Sequence, residues 1–351
     1  MGAEENKPQG VARRGLRLRG VFACLVLIAV AVAIYAWRDY SRFADAPLAP
    51  LAAAIVIDVP LGTPLPGILR ELEHGGVQTG RSLYWRILAR RMGVAGRLHA
   101  GEYALAPGIT PRQLLAKMAA DDVVQHRFTI VEGWTFAQLR AALAHDADLK
   151  QTLAADADAA IMRELGDADS PPEGWFLPET YSYVKSMSDL DILRRAHLAM
   201  RKELDRLWAA RAAGLPLQLP YQALALASIV EKETARAEER PQIAGVFLHR
   251  LQLGMKLQTD PSVIYGLGAG YDGKLHRRDL DADTPFNTYT RTGLPPTPIA
   301  LPGAASLGAV LHPATTDALY FVARGDGTHE FSATLEAHNR AVAKYQLHQN
   351  Q

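Results

Sequence analysis

The strongest pattern along the chain is an apolar run from Gly20 to Trp37, which contains no charged residue and no proline. About 18 such residues are near the lower limit for a helix that crosses a bilayer. Arginines precede the run, so the positive-inside rule predicts a retained anchor with a cytoplasmic tail, residues 1–19, and the remaining chain outside. Two alternatives stay open: a signal peptide cleaved among the small residues that follow, and a buried core helix, although the run lacks a polar face.

The segments after this run indicate a small folded module. Residues 38–51 are rich in Ala and Pro and predict a linker. Alternation of Ile55, Ile57 and Val59 predicts a short strand, and apolar positions at helical spacing follow it. With a second strand and a third helix, these segments predict an αβ module over residues 52–122. The module is either a spacer or a carbohydrate-binding unit.

Helical and strand periods alternate irregularly through residues 123–351, which predicts a mixed α+β fold rather than a regular repeat. A long irregular segment rich in Gly, Pro, Thr and Asp runs from Lys256 to Pro302. Because irregular segments of this length inside a compact domain are usually functional, we expect it to contribute to a site.

Composition excludes several classes of function. The net charge of +1 leaves no basic excess for binding nucleic acid. The single cysteine, Cys24, excludes an intrachain disulfide and a cysteine-based zinc cluster. The histidines show no convincing metal-ligand spacing, and we interpret His312, His329 and His338 as structural or surface residues. The sequence therefore predicts neither a metal nor a cofactor.

Two glutamates close an apolar helical pattern in the stretch "LASIVEKETARAEER". At about 100° per residue, Glu233 falls on the apolar stripe of Leu226 and Val230, whereas Glu231 falls on another side. A carboxyl held against apolar side chains has a raised pKa, as a general acid needs near neutral pH. Helical phase therefore favours Glu233 as the reactive group. The alternative is a solvated glutamate, or one paired with Arg236 at i+3.

Polar residues of the irregular segment are candidates for binding a sugar. Asp260 precedes Pro261, which is typical of a turn or a helix N-cap, and capping alone is the simpler interpretation. Asn287, Tyr289 and several threonines lie among prolines in the stretch from 283 to 303. Hydroxyls, an amide and a ring on a rigid loop suit a sugar, although a purely structural loop stays open.

Several long stretches together resemble one family, the YceG-like endolytic murein transglycosylases. They are "EGWFLPETY", "SIVEKETARAEER", "GVFLHRLQLGMKLQTDPSVIYGLG", "FNTYTRTGLPPTPIALPG" and "HPATTDALYFVARGDGTHEFSATLEAHNRAV". The resemblance covers residues 52–345, and the motifs occur in the family's order. It implies a LysM-like module at 52–122, followed by a YceG-type catalytic domain at 123–351 with a lysozyme-like active-site helix.

The resemblance also implies an activity and a location. The enzyme would cut nascent peptidoglycan strands internally, between N-acetylmuramic acid and N-acetylglucosamine, leaving 1,6-anhydro ends and ending strand elongation. It would act in the periplasm, anchored in the inner membrane, beside synthases such as penicillin-binding proteins, and would need no cofactor. The family's catalytic glutamate corresponds to Glu233.

We expect a set of polar residues around Glu233 to bind the sugar or support the site: Glu231, Gln258, Thr259, Asp260, Ser262, Tyr265, Asn287, Tyr289 and Thr292. Two other functions stay open. A hydrolytic muramidase would use Asp260 as a second carboxylate. A scaffold would bind glycan and synthase without cleaving.

Overall fold

The structure is a computed structural model that describes residues 10–48, 53–153 and 156–347. Two compact units make up the chain, and the division between them falls between Val124 and Gln125. Each unit has its own core of buried apolar side chains. Residues 1–9 of the predicted tail and 49–51 of the predicted linker lie outside the described residues.

The first unit is a small αβ arrangement. Its strands pair antiparallel, with Ile57 opposite Tyr103, and both side chains are buried. The sequence predicts Thr110 as a helix cap, and its hydroxyl does accept the backbone N–H of Gln113. The elements are α1 (Gly10–Asp45), β1 (Ile55–Val59), α2 (Leu65–His74), α3 (Ser82–Arg91), β2 (Gly101–Leu105) and α4 (Pro111–Ala119).

Helix α1 contains the apolar run and extends beyond it. In the described part of the chain, one segment is long and apolar enough to cross a membrane, Val21–Asp45, and a signal sequence would meet the same criterion. No part of its most apolar window is buried inside the protein, so the alternative of a buried core helix is wrong. The expected linker over 38–51 also differs: residues 38–45 are helical, because Tyr40 and Ala44, one turn apart, enter the core of the first unit.

The second unit mixes helices with two antiparallel two-stranded sheets, which is the mixed α+β class that the sequence predicts. One sheet pairs β3 with β4 and the other pairs β5 with β6. The elements are β3 (His126–Thr129), α5 (Phe136–His145), α6 (Asp158–Glu164), β4 (Thr180–Tyr183), α7 (Asp189–Ala209), α8 (Pro220–Glu233), α9 (Arg240–Gln252), α10 (Asp260–Leu267), α11 (Arg277–Asp281), α12 (Ala304–Leu311), β5 (Tyr320–Ala323), β6 (His329–Ser332) and α13 (Leu335–Val342).

Helix α8 is the central element of the second unit. It contacts α7, α9, α10 and α12, and every residue from Ala223 to Val230 is buried. The single apolar stripe assumed from helical phase is therefore wrong. Ser228 is fully buried; its hydroxyl donates to the carbonyl of Ala225 at 2.7 Å and accepts the N–H of Ile299 at 2.9 Å. A helix surrounded on all sides fixes the position of the residue at its end.

Candidate active site

Glu233 is the last residue of α8 and faces a cavity of about 560 Å³. The cavity lies between the end of α8, the segment before α10, the β5–β6 hairpin and α13. Its charged and polar lining residues are Glu233, Arg250, Gln258, Asp260, Tyr289, His329, His338, Asn339 and Gln346, with Tyr320 and several apolar residues. The volume is ample for one or more sugar rings at a half-buried carboxyl.

The Glu233 carboxyl is held in a partly desolvated position. Burial raises its pKa to about 7, and the negative charge of Asp260 adds to that rise. Three groups act in the opposite direction: the Thr259 hydroxyl donates a hydrogen bond to Oε1, and His329 and Arg250 contribute positive charge. A carboxyl with this pKa is substantially protonated at neutral pH, so it can give a proton and also hold the resulting charge.

The segment that carries Thr259 is fixed by a buried network of hydroxyls. Thr288 accepts the backbone N–H of Thr259 at 3.0 Å and shares a hydrogen bond of 2.9 Å with the Ser262 hydroxyl. Its carbonyl accepts the N–H of Gln258 at 3.1 Å. Gln258 has a φ of 52°, which costs energy for a residue with a side chain and is maintained by these neighbours. The network directs Gln258 into the cavity.

Arg250 fixes the start of the same segment from α9. Its buried guanidinium donates to the carbonyls of Leu257, at 2.7 Å, and Leu319, at 2.6 Å, and lies 5.1 Å from the centre of the Tyr320 ring. Burial lowers the pKa of Arg250, and the negative charge of Glu233 is among the influences that raise it. The arginine thus joins the wall of the cavity and places positive charge near Glu233.

Asp260 and Tyr289 form a second polar pair in the cavity. The Tyr289 hydroxyl donates to Oδ1 of Asp260 at 2.5 Å. Burial and this hydrogen bond raise the pKa of Tyr289. The expectation that Asp260 caps the following helix is wrong, because Thr259 occupies the N-cap position and Asp260 is the first helical residue. The Asp260 carboxylate instead accepts a hydroxyl at the cavity wall.

Glu231 lies outside the cavity lining, although it is only two residues from Glu233. Its side chain is 5% exposed and lies 3.4 Å from a guanidinium nitrogen of Arg240. It also accepts the backbone N–H of Gly303, the N-cap of α12, at 2.9 Å. Glu231 therefore joins the end of α8 to the start of α9 through a buried ion pair and to the start of α12 through a hydrogen bond.

Other residues of the predicted set hold the loop rather than line the cavity. Asn287 is buried; its amide donates to three carbonyls at and after α11, and its oxygen accepts the N–H of Tyr289 at 2.8 Å. Asn287 therefore positions Tyr289. Tyr265 donates instead to Glu173 at 3.1 Å, and Thr292 is exposed away from the cavity lining. Of the predicted set, the structure brings Gln258, Asp260 and Tyr289 to the cavity with Glu233, and Thr259 onto its carboxyl.

Sequence reasoning missed His329, which lines the cavity from β6. Its Nδ1 lies 2.7 Å from the Glu239 carboxylate, which also accepts its backbone N–H at 2.9 Å. Because Nδ1 donates to the carboxylate, a proton on Nε2 gives a charged ring. His329 is therefore structural, as interpreted, because it ties β6 to Glu239, but it is not a surface residue and it also lines the cavity. No sequence motif links it to Glu239, since the two are 90 residues apart.

Arg236 attaches the β5–β6 hairpin to the segment that follows Glu233. Its Nε donates to the carbonyl of Gly327 and its Nη2 to the carbonyl of Asp326, both at 3.0 Å. The expected pairing of Arg236 with Glu233 is therefore replaced by contacts with the hairpin turn. Within the described residues, no cluster of three or more His, Cys, Asp or Glu is arranged to hold a metal.

Comparison with known proteins identifies relatives over most of the chain. Residues 57–344 match the pattern described as the YceG-like family. A Bacillus subtilis protein named endolytic murein transglycosylase is 30% identical over 306 residues, covering 82% of this chain and 84% of the relative. A Streptococcus pneumoniae protein of the same name is 27% identical over 325 residues; the match covers 83% of this chain but 58% of that longer relative. A crystal structure of a YceG-like protein from Listeria monocytogenes is 30% identical, with a TM-score of 0.49, over 82% of this chain and 98% of the other.

Proposed function

This chain belongs to the YceG-like family, and on that basis we propose that it is an endolytic lytic transglycosylase acting on peptidoglycan. It cleaves glycan strands between N-acetylmuramic acid and N-acetylglucosamine and leaves 1,6-anhydro ends. The observation that carries the proposal is Glu233, a carboxyl with a pKa raised to about 7 by burial, at a cavity large enough for sugar rings. The names of its relatives support the same substrate.

One carboxyl is sufficient for this reaction. Protonated Glu233, at the end of α8 as a lysozyme-like active-site helix, donates to the glycosidic oxygen as the bond to the muramic acid breaks. The N-acetyl group of the sugar stabilises the oxocarbenium-like centre, as in substrate-assisted glycosidases. The Glu233 carboxylate then takes the proton of the C6 hydroxyl, which closes the anhydro ring. Water is not consumed, so the enzyme is a lyase.

The surrounding residues support both protonation states of Glu233. Thr259 occupies Oε1, which leaves Oε2 for the substrate. After proton transfer, the Thr259 hydrogen bond and the positive charges of Arg250 and His329 stabilise the carboxylate. Burial favours the protonated form that begins the next cycle. Gln258, Asp260 and Tyr289 lie along the same cavity, where they bind the sugar hydroxyls.

A hydrolytic muramidase is the second candidate, because Asp260 supplies a second carboxylate at the cavity. Such an enzyme would use that carboxylate to activate water or to attack the sugar. Asp260 already accepts the Tyr289 hydroxyl on Oδ1, which occupies one of its two oxygens. Hydrolysis would produce reducing ends in place of anhydro ends.

Mass spectrometry of digested peptidoglycan distinguishes these functions. The full chain in detergent should release fragments with 1,6-anhydro-muramoyl ends, and Glu233→Gln should release none. Reducing ends would indicate the muramidase. Unchanged binding of glycan by both proteins, with cleavage by neither, would indicate a scaffold.

We extend the proposal to the first unit and the anchor. Helix α1 is a single-pass anchor in the inner membrane, with its N-terminus in the cytoplasm, and the exposed apolar side chains from Val21 to Trp37 support this placement. The module after it is a LysM-like wall-binding unit. The second unit then acts in the periplasm on nascent strands beside penicillin-binding proteins. A protease added to right-side-out spheroplasts should remove both units and leave an N-terminal epitope protected.

A further inference from the structure

Helix α3 contacts α1 at the point where the apolar run ends. Its first turn contacts α1 through Tyr84, whose hydroxyl donates to Asp39 at 2.7 Å and whose ring lies 5.5 Å from the Phe43 ring. Its last residue, Arg91, lies 4.7 Å from the centre of the Trp37 ring. Tyr84 and Arg91 are about 10 Å apart along α3, and the α1 residues that they contact span about 9 Å along α1. Helix α3 therefore packs beside the end of the apolar run, with Arg91 nearest to it.

The C-terminal end of α3 lies beside the last turn of that run. On α1, the large side chains from Val21 to Trp37 are exposed, and burial in the unit's core begins at Tyr40. The core therefore begins one turn beyond the end of the apolar run and includes Trp85, Leu88 and Ala89 of α3. Trp37 is of the residue type enriched where a transmembrane helix leaves the bilayer. If α1 spans a bilayer, α3 lies at its surface.

The side of α3 that faces away from the core has an amphipathic composition. The core side consists of Trp85, Leu88 and Ala89, which are buried. The opposite side has apolar and basic residues at helical spacing: Leu83, 54% exposed, Ile87, 39% exposed, and the exposed Arg86, Arg90 and Arg91. Together with Leu65 and Pro66 they line a groove of about 490 Å³. Within the described residues, none of the ion pairs involves these three arginines.

We propose that this exposed side of α3 lies in the headgroup layer of the bilayer that holds α1. Leu83 and Ile87 contact acyl chains, and Arg86, Arg90 and Arg91 bind lipid phosphates. Apolar residues beside arginines are the composition of helices that lie in a membrane interface, and guanidinium groups pair bidentately with phosphate. The inference rests on the proposed anchor and adds a second membrane contact, which fixes the orientation of the first unit on the membrane.

The experiment uses the full chain, one copy per nanodisc, with a fluorophore on a single cysteine and nitroxide-labelled lipids as quenchers. The native Cys24 lies in the apolar run and reports insertion of α1. In a Cys24→Ser background, Ile87→Cys reports α3. Ala106→Cys is the matched exposed control. The carbonyl of Ala106 accepts the N–H of Ile109, and the carbonyl of Ile109 accepts the N–H of Leu48. Ala106 is therefore connected to a part of the chain that lies well beyond Trp37 and away from the apolar run.

We expect a probe at Ile87 to be quenched at least twofold more than one at Ala106. In discs of anionic phosphatidylglycerol, Arg86→Glu with Arg90→Glu should reduce quenching at position 87 and leave quenching at Cys24 unchanged. Quenching at Cys24 with equal, weak quenching at positions 87 and 106 would overturn the inference and keep the anchor. Absence of quenching at Cys24 would overturn both. Quenching at position 87 that requires two protein copies per disc would assign this face to a dimer and also overturn the inference.

Discussion

The hydroxyl of Thr259 donates a hydrogen bond to Oε1 of Glu233, and this contact joins the end of α8 to the segment before α10. Burial raises the pKa of the carboxyl to about 7, while the hydrogen bond acts in the opposite direction. Burial and this hydrogen bond therefore act in opposite directions on the pKa of the proton donor. The hydrogen bond can be removed by a single substitution at Thr259, because the Thr288 hydroxyl accepts the backbone N–H of this residue and holds it in place independently of its side chain.

Replacement of Thr259 by Val should move the pH dependence of cleavage. The reaction begins with protonated Glu233, so the rate falls as pH rises through its pKa. Loss of the hydrogen bond raises that pKa further, so the falling alkaline limb should move to higher pH. The measurement is cleavage rate against pH, with Thr259→Ser as the control that keeps a hydroxyl. An unmoved limb in the valine variant would show that the contact does not act on the proton donor.

The two glutamates at the end of α8 should respond differently to substitution. Glu233→Gln should reduce cleavage by about 10²-fold or more, because the proton donor is lost. Glu231→Ala should instead lower the free energy of unfolding by about 1–3 kcal/mol, because the N–H of Gly303 loses its acceptor and Arg240 keeps only its longer, 3.7 Å ion pair with Glu132. Cleavage assays and urea unfolding of both variants separate the effects. A stable, inactive Glu231→Gln beside an active Glu233→Gln would reverse the assignment.

The choice between these glutamates shows what the sequence can predict. Helical phase separated Glu233 from Glu231, but it did so by assuming one apolar side, and α8 is buried on all sides. The side chain of Glu231 is almost fully buried, because Arg240, nine residues later, closes over it. Periodicity describes one helix, whereas the packing of neighbouring elements decides the environment of its ends.

Local signals predicted the fold class and many element positions, but not contacts between distant segments. The cap at Thr110 could be predicted because it depends on residues three positions apart. The helical continuation through Tyr40 could not, because the stabilising contacts come from Tyr84 and Trp85 of α3. His329 was missed for the same reason, since its partner Glu239 belongs to another element.

Glu173 should make stability depend on pH. Burial raises its pKa to about 7 from the ordinary value of 4.5, even though it accepts the N–H of Phe136 and the hydroxyl of Tyr265. The folded state therefore binds a proton that the unfolded state releases, so this stabilisation is complete below about pH 4.5 and is lost as pH rises through about 7. Glu173→Gln should flatten the decline in the urea midpoint between pH 5 and pH 8. A decline identical to wild type would exclude Glu173 as its source.

Loss of the positive charge at His329 should also raise the pKa of Glu233. Positive charge on this ring lowers the pKa of Glu233, and Glu239 holds the ring through Nδ1. His329→Gln should therefore move the alkaline limb of the cleavage rate to higher pH, and Glu239→Gln should do so more weakly by loosening the ring.

The other groups that act on the pKa of Glu233 are unchanged in these variants. They are Arg250 from α9, Asp260 from α10 and the Thr259 hydroxyl. Glu238→Gln is the matched control, because Glu238 is exposed and pairs with Arg236 instead. A structural role alone would lower the rate equally at every pH. A moved limb in His329→Gln with an unmoved one in Glu238→Gln would instead identify His329 as a cation that lowers the pKa of the proton donor.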